Sequence, residues 1–240
     1  MKFCIFDKQD FDFTMMNRTY KEIQQITLAV DCIIFGFNDN KLEVLLIHRG
    51  FEPEKERWSL IGGFVENEED VDEAAHRILK KLSGLEDVYM EQVKTFGKSK
   101  RDPYERVVSV TYSALILKNN YDADLVKKYR AEWFPIDELP DLIFDHGEMI
   151  VAALNRLRRR IKIAPVGFNL LPEKFTLPQL QKLYEGILGE ELDKRNFRKK
   201  LKSMNFLIRL NEKDKSESKK GAFFYRFDEK EYKTVQHFNI

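Results

Sequence analysis

The chain has 240 residues, 43% hydrophobic and 34% charged, with a formal net charge of +1. That is enough for one large or two medium domains with real cores, and 12% aromatics argue against a disordered chain. No apolar run reaches membrane-spanning length, and the two cysteines, Cys4 and Cys32, fit no metal spacing; a cytoplasmic protein with no membrane partner, no metal and no cofactor is expected.

The opening stretch MKFCIFDKQDFDFTMM is interrupted by Asp and Lys and does not read as a signal peptide, so residues 1–25 are expected to be a weakly ordered extension. Residues 26–37 and 42–49 are β-branched and aromatic runs around Asn38-Asp39-Asn40, which predicts a hairpin. Trp58–Val65 reads as a short strand containing Gly62-Gly63. From Asp70 to Leu82 the residues Val71, Ala74, Ala75, Ile78, Leu79 and Leu82 recur at helical spacing, and Gly84 stops the helix. Strands follow near Tyr89–Phe96, Val107–Leu117 and Ala131–Pro135. A helix from Gly147 to about Arg160 closes the domain, with Arg156, Arg158, Arg159 and Arg160 suited to a helix C-terminus. Residues 26–162 thus predict an α+β domain.

Residues 163–168, with Pro165 and Gly167, read as a linker to a second domain at 169–240. There Thr176 caps a helix carrying Leu177, Leu180, Leu183, Tyr184 and Ile187 on one face, and Gly189 ends it. Asp193 caps another helix, with Phe197, Leu201 and Met204 as its buried stripe. Strand FLIRL, a polar tip at 211–220 and strand AFFYRF complete a helix-turn-helix followed by a hairpin wing. Residues 194–220 hold 11 Lys/Arg against 3 Asp/Glu, the electrostatic footprint of a nucleic-acid module. On the second helix Lys194, Arg195, Arg198, Lys199 and Lys202 are left outside, flanked by Asn196 and Lys200. These are donors of the kind that reach base edges and phosphates. Lys213, Lys215, Lys219 and Lys220 at the hairpin tip suit phosphate contacts.

In the first domain Gly63, Glu69, Arg77, Leu79, Gly84 and Leu85 stand at the spacing of the Nudix box, G-x5-E-x7-R-E-U-x-E-E-x-G-U with U apolar. The chain resembles that family, which implies an α/β/α sandwich. In active members the glutamates after the Arg hold a divalent cation against a pyrophosphate. Here Ile78, Lys81 and Leu82 occupy those places and only Glu69 is kept, so no hydrolase activity is expected. The alternative is a Mg-dependent hydrolase of ADP-ribose-like nucleoside diphosphate sugars that uses Glu66, Glu69 and Glu73 as relocated ligands. A Nudix-like pocket can still bind. Arg49, Arg101 and Arg106 are candidates for phosphate or sugar hydroxyls, Asp31, Asp102 and His146 for a sugar, and Trp58 for stacking on a ring. The competing assignment is surface salt bridges for the arginines and a core role for Trp58.

Both halves together are similar to the NrtR-type Nudix-related transcriptional regulators, over roughly residues 26–235. Gly167-Phe168-Asn169-Leu170-Leu171-Pro172, continuing to Leu180, resembles that family's hinge and first DNA-binding helix, which adds Thr176 and Gln179 to the candidate DNA contacts. Asp193–Lys199 resembles its recognition helix. Within the family the chain looks most like the arabinose-responsive AraR branch of Bacteroidetes. The resemblance implies a homodimeric regulator, a repressor, that binds double-stranded palindromic operator DNA and releases it when L-arabinose or ADP-ribose occupies the Nudix-like domain.

Overall fold

The strand β1 (Thr27–Asn38) sends Val30, Cys32 and Ile34 into one core and Ile33 and Phe35 into another, and all five are buried. A strand apolar on both sides belongs at the middle of a sheet covered on both faces. It lies there in the computed structural model, which describes residues 25–38, 40–86, 88–117, 129–164, 166, 170–202, 206–216 and 219–228. β1 pairs antiparallel with β2 (Lys41–His48) and β4 (Ile61–Phe64), and parallel with β6 (Val107–Leu115). β3 (Trp58–Ser59) and β7 (Glu132–Pro135) join β2, and β5 (Met90–Phe96) joins β6, giving a seven-stranded mixed sheet. The single strand expected at 58–65 is therefore two, β3 on one neighbour and β4 on another.

α1 (Val71–Ser83) covers one face through Ala74, Ala75, Ile78 and Leu79. The Asp70 carboxylate accepts from the Asp72 and Glu73 N–H groups and Glu73 accepts in return from the Asp70 N–H, a capping box. Gly84 ends the helix in the left-handed conformation (φ 73°), which costs glycine nothing. α2 (His146–Ile163) covers the opposite face through Met149, Ile150, Ala153, Leu157 and Ile161. This is the expected α/β/α sandwich. α2 runs past Arg160 because Ile161 is fully buried and holds the next turn down. Three of the arginines also serve other elements. Arg156 and Arg160 both grip Glu91 of β5, and the Arg158 Nε donates to the Ile187 carbonyl at 2.8 Å.

That carbonyl belongs to α3 (Leu177–Leu188), which with α4 (Lys194–Lys202) forms the helix-turn-helix. β8 (Phe175–Thr176), β9 (Leu207–Asp214) and β10 (Ala222–Phe227) pair in the order β8-β10-β9, completing the winged helix. Asp193 caps α4 by accepting from the Asn196 N–H at 2.7 Å. Phe197 and Leu201 are buried as expected; Met204 lies outside the described residues, as do residues 1–24, 165 and 167–169.

The boundary expected at 163–168 is not a break in packing. One apolar cluster runs from Ile33, Phe35 and Leu42 in the sheet, through α2, to Leu183, Tyr184, Ile187 and Phe197 in the winged helix. α3 lies so close to the β1–β2 hairpin that a Cβ on Gly186 would come within 2.8 Å of the Phe37 ring and 3.1 Å of the Asn40 carbonyl. No helix among the described residues is long and apolar enough to cross a membrane.

Candidate effector pocket and nucleic-acid interface

The Nudix-box positions come first. Ile78 is 4% exposed and fills the space against Gly63, where a Cβ would lie 2.8 Å from its Cδ1. Lys81 is exposed, and Leu82 packs against the α1 core. Glu69 is fully engaged. Its Oε2 accepts from the Arg77 Nε at 2.7 Å, and its Oε1 accepts from the Arg77 Nη2 and from the Glu66 N–H. These bonds from Arg77 hold its pKa down to about 2. A hard divalent cation needs several oxygen donors, and a cluster of one arginine-bound carboxylate, an ammonium and two aliphatic side chains does not fit it. Among the described residues, no group of three or more His, Cys, Asp or Glu is placed to hold a metal ion.

On the other face, where α2 begins, β1, β6, the β5–β6 connection and α2 bring four charged or ionisable side chains together out of water. Asp31, Arg101, Asp145 and His146 are each less than one-tenth exposed. Arg101 grips Asp145 in a fork: Nε reaches both carboxylate oxygens at 3.1 Å and Nη2 reaches Oδ1 at 2.7 Å. Its Nη2 also lies 3.8 Å from Asp31, which accepts from the Ser109 hydroxyl at 2.6 Å. The His146 Nδ1 accepts from the Leu60 N–H at 3.1 Å, so the neutral ring carries its proton on Nε2, 3.7 Å from Asp31. Burial holds the pKa of His146 below the usual value, against the pull of Asp31. Asp31 sits where a Cβ on Gly62 would come within 2.2 Å of its Oδ1, so the first glycine of the Gly-Gly pair makes room for this network.

This arrangement corrects several sequence assignments. Asp31, Arg101 and His146 are brought together, but their polar atoms are turned on one another and on Asp145. They lock the β5–β6 connection to the start of α2. The Trp58 indole packs between His48 (centroids 3.8 Å apart) and Phe134 (4.8 Å), against the α2 core, and is not offered to a ligand. Arg106 donates to the carbonyls of Gly97, Lys98 and Val107, which ties down the β5–β6 connection. Asp102 accepts from the Tyr104 and Glu105 N–H groups in a local turn.

Arg49 is different. Half-buried, it lies over Phe51 at 4.0 Å and near Phe144 at 5.5 Å, and its buried Nε has no hydrogen-bond partner among the described residues. Burial lowers its pKa, while Asp102, Asp31 and Glu54 raise it. The Phe51 and Tyr104 side chains are about half exposed beside it, and Tyr104 donates to Glu54 at 3.3 Å. Phe144 holds a left-handed φ of 49°, a conformation that costs a bulky residue roughly 1–3 kcal/mol and tends to mark functional loops. An aromatic-flanked guanidinium with an unmet donor is suited to an anion attached to a ring. Sequence reasoning placed Arg49 and Asp102 here but missed Asp145, Phe51, Phe144 and Tyr104.

The nucleic-acid candidates fall on one helix and one hairpin. Lys194, Arg195, Asn196, Lys199, Lys200 and Lys202 are exposed along α4, and Lys219 and Lys220 are exposed at the wing. Arg198 is half-buried, its Nε lacking a partner among the described residues. Thr176 is a correction: it is 3% exposed, and its hydroxyl accepts from the Gln179 N–H to start α3. The Gln179 side-chain oxygen answers by accepting from the Thr176 N–H at 2.8 Å, so both residues build the helix start. The wing strands have two cations that the sequence reading passed over, Arg209 and the exposed Arg226. Arg209 stacks on Phe223 at 3.9 Å, with Lys213 at 4.5 Å from the same ring.

A Nudix-box sandwich that shares its core with a cationic winged helix defines the class: a Nudix domain fused to a DNA-binding domain. Known proteins agree, since residues 26–153 match the NUDIX domain and residues 167–227 match the NrtR DNA-binding winged helix domain. The chain belongs to the NrtR family. It is 35% identical, over 85% of its length and 83% of the relative's, to the ADPR responsive transcriptional repressor NtrR of Acinetobacter baylyi. The crystal structure of Shewanella oneidensis NrtR complexed with a 27mer DNA superposes with a TM-score of 0.77 at 29% identity, covering 89% of this chain and 99% of that one. An ADP-ribose pyrophosphatase of Methanocaldococcus jannaschii is 35% identical over 55% of this chain and 76% of its own.

Proposed function

We propose that the protein is a transcriptional repressor that binds operator DNA through α4 and the wing and releases it when an ADP-ribose-like effector occupies the Nudix domain. The observation that carries this reading is the pairing of an exposed cationic recognition helix with a Nudix helix whose metal positions are Ile78, Lys81 and Leu82. Such a domain keeps a pocket and loses hydrolysis. Arg49, flanked by Phe51 and Phe144 and backed by Asp102, takes the effector's phosphates. The buried Asp31–Arg101–Asp145–His146 network then passes occupancy to the start of α2. α2 reaches α3 through Arg158, and α3 packs Tyr184 against Phe197 of α4, so the pocket and the recognition helix are linked through two helices. A ligand that prefers one arrangement of this unit lowers DNA affinity by its differential affinity for the two states. On DNA, Lys194, Arg195, Asn196, Arg198 and Lys199 address the major groove; Lys202, Lys219 and Lys220 address phosphates. The working form is a cytoplasmic homodimer on a palindromic site.

The effector reading is supported by two relatives named for ADP-ribose, one a repressor and one a pyrophosphatase. The test is fluorescence anisotropy of a duplex selected from a random library by the full chain, titrated with ADP-ribose and separately with L-arabinose. ADP-ribose is expected to weaken binding at least tenfold. Release by L-arabinose alone would move the effector to the pentoses and the chain to the arabinose-responsive branch. Mg²⁺-dependent cleavage of ADP-ribose, abolished in Glu69→Gln, would establish a hydrolase instead.

A further inference from the structure

A second feature stands apart from both the pocket and the recognition helix. Between α2 and β5 lies a cavity of about 500 Å³, within the size range of small-ligand sites. Lys94 of β5 and Arg156, Arg158, Arg159 and Lys162 of α2 line it, with Val93 beside them and no carboxylate among its lining residues. The helix explains the clustering. Met149, Ile150, Ala153, Leu157 and Ile161 face the core, so Arg156, Arg158, Arg159 and Lys162, one or two positions away, fall together on the flank. Two of the five are engaged. Arg156 holds Glu91 at 2.5 Å, and the Arg158 Nε holds the Ile187 carbonyl. Lys94, Arg159 and Lys162 are exposed and have no ion-pair partner among the described residues. Glu148, near Lys94, is already bound to Lys98 at 2.7 Å.

We propose that this groove is a binding site for a phosphate-bearing anion, separate from the Nudix pocket. Like charges held together repel, and an anion relieves that repulsion. Guanidinium forks and ammonium groups converging on one cavity suit the multiple oxygens of phosphate groups. Three unpaired cations match a group carrying several negative charges better than a single carboxylate. Arg158 gives occupancy a consequence, because an anion drawing its guanidinium competes with the carbonyl at the end of α3. That carbonyl sits two residues before Gly189 and the turn into α4. The phosphates have two possible sources, a free polyphosphate compound or the backbone of bound DNA.

The experiment is isothermal titration of the full chain with tripolyphosphate at low salt. Wild type is compared with the double variant Arg159→Ala/Lys162→Ala, with Lys94→Gln, and with Arg49→Ala in the Nudix pocket. All three groove positions are exposed, so the fold should persist, which circular dichroism and thermal melting verify. One site per chain is expected, weakened at least tenfold by the double variant, weakened less by Lys94→Gln, and unchanged by Arg49→Ala. If duplex DNA displaces tripolyphosphate and the double variant lowers the salt slope of DNA binding by about 2, the source is the DNA backbone. If DNA and tripolyphosphate bind together, it is a free polyphosphate. Absence of binding, or binding lost only in Arg49→Ala, overturns the proposal. So does a double variant that changes mass in light scattering while leaving tripolyphosphate affinity intact, since the groove is then an interface between copies.

Discussion

Replacing Arg101 by Met tests what holds the sensor to α2. The native side chain is 3% exposed and makes three hydrogen-bond contacts with Asp145, while Asp31 stands 3.8 Å from its Nη2. Met keeps most of the volume and removes the charge, which leaves two buried carboxylates without their cation. Breaking one side of a buried pair costs about 3–5 kcal/mol. With an m-value of about 3 kcal/mol/M in urea, the unfolding midpoint should fall by about 1–1.7 M. Neutralising Asp145 as well, in Arg101→Met/Asp145→Asn, should restore part of the loss. A midpoint shift below about 0.3 M would refute the assignment of this network as a structural lock.

His146 makes a pH prediction. Its folded pKa lies below the unfolded one, so the unfolded chain binds the extra proton. Stability is complete above about pH 6.5 and falls as pH drops from there, and the fall should flatten in His146→Gln when urea midpoints are compared at pH 7.5 and 5.5. In ¹³C NMR the Glu69 carboxylate should titrate at about 2, and in Arg77→Met it should return toward 4.5; an unmoved midpoint would show that Arg77 is not the cause. Gly186→Ala forces a methyl against Phe37 and should cost about 1–3 kcal/mol. At about 2–4 °C per kcal/mol, calorimetry should register a melting temperature several degrees lower. In salt titrations of operator binding, Lys219→Ala should reduce the slope by about 1, whereas Arg198→Ala should erode sequence preference by about 1–3 kcal/mol.

Much of the architecture was legible because local chemistry and long-range packing agree. The Thr176 cap, Gly84 and Gly189 as helix stops, and the apolar stripes on α1 and α3 all fall where spacing put them. The replacement of box glutamates by Ile78, Lys81 and Leu82 is visible in the letters alone. The site was harder, because a charged residue reads the same whether it meets a ligand or another buried charge. Arg101 and His146 illustrate this: their partners Asp145 and Asp31 are close only in the folded chain, and burial decides the role. Arg156, Arg158 and Arg160 look like helix-end charge until β5 and α3 arrive beside them. Thr176 and Gln179 were assigned to DNA by family resemblance, while the capping box that engages both follows from their own spacing.

The apolar seam joining the sheet to α3 has a practical consequence for protein engineering. A cut at residues 163–168 would strip Phe37, Leu42 and Leu157 of their cover and leave Leu183 and Ile187 facing water. Neither fragment would be a tidy cassette. A chimaera that lends this sensor to a foreign reading head must carry α2, the tip of the β1–β2 hairpin and a small residue at 186, or the donor and recipient will not mesh.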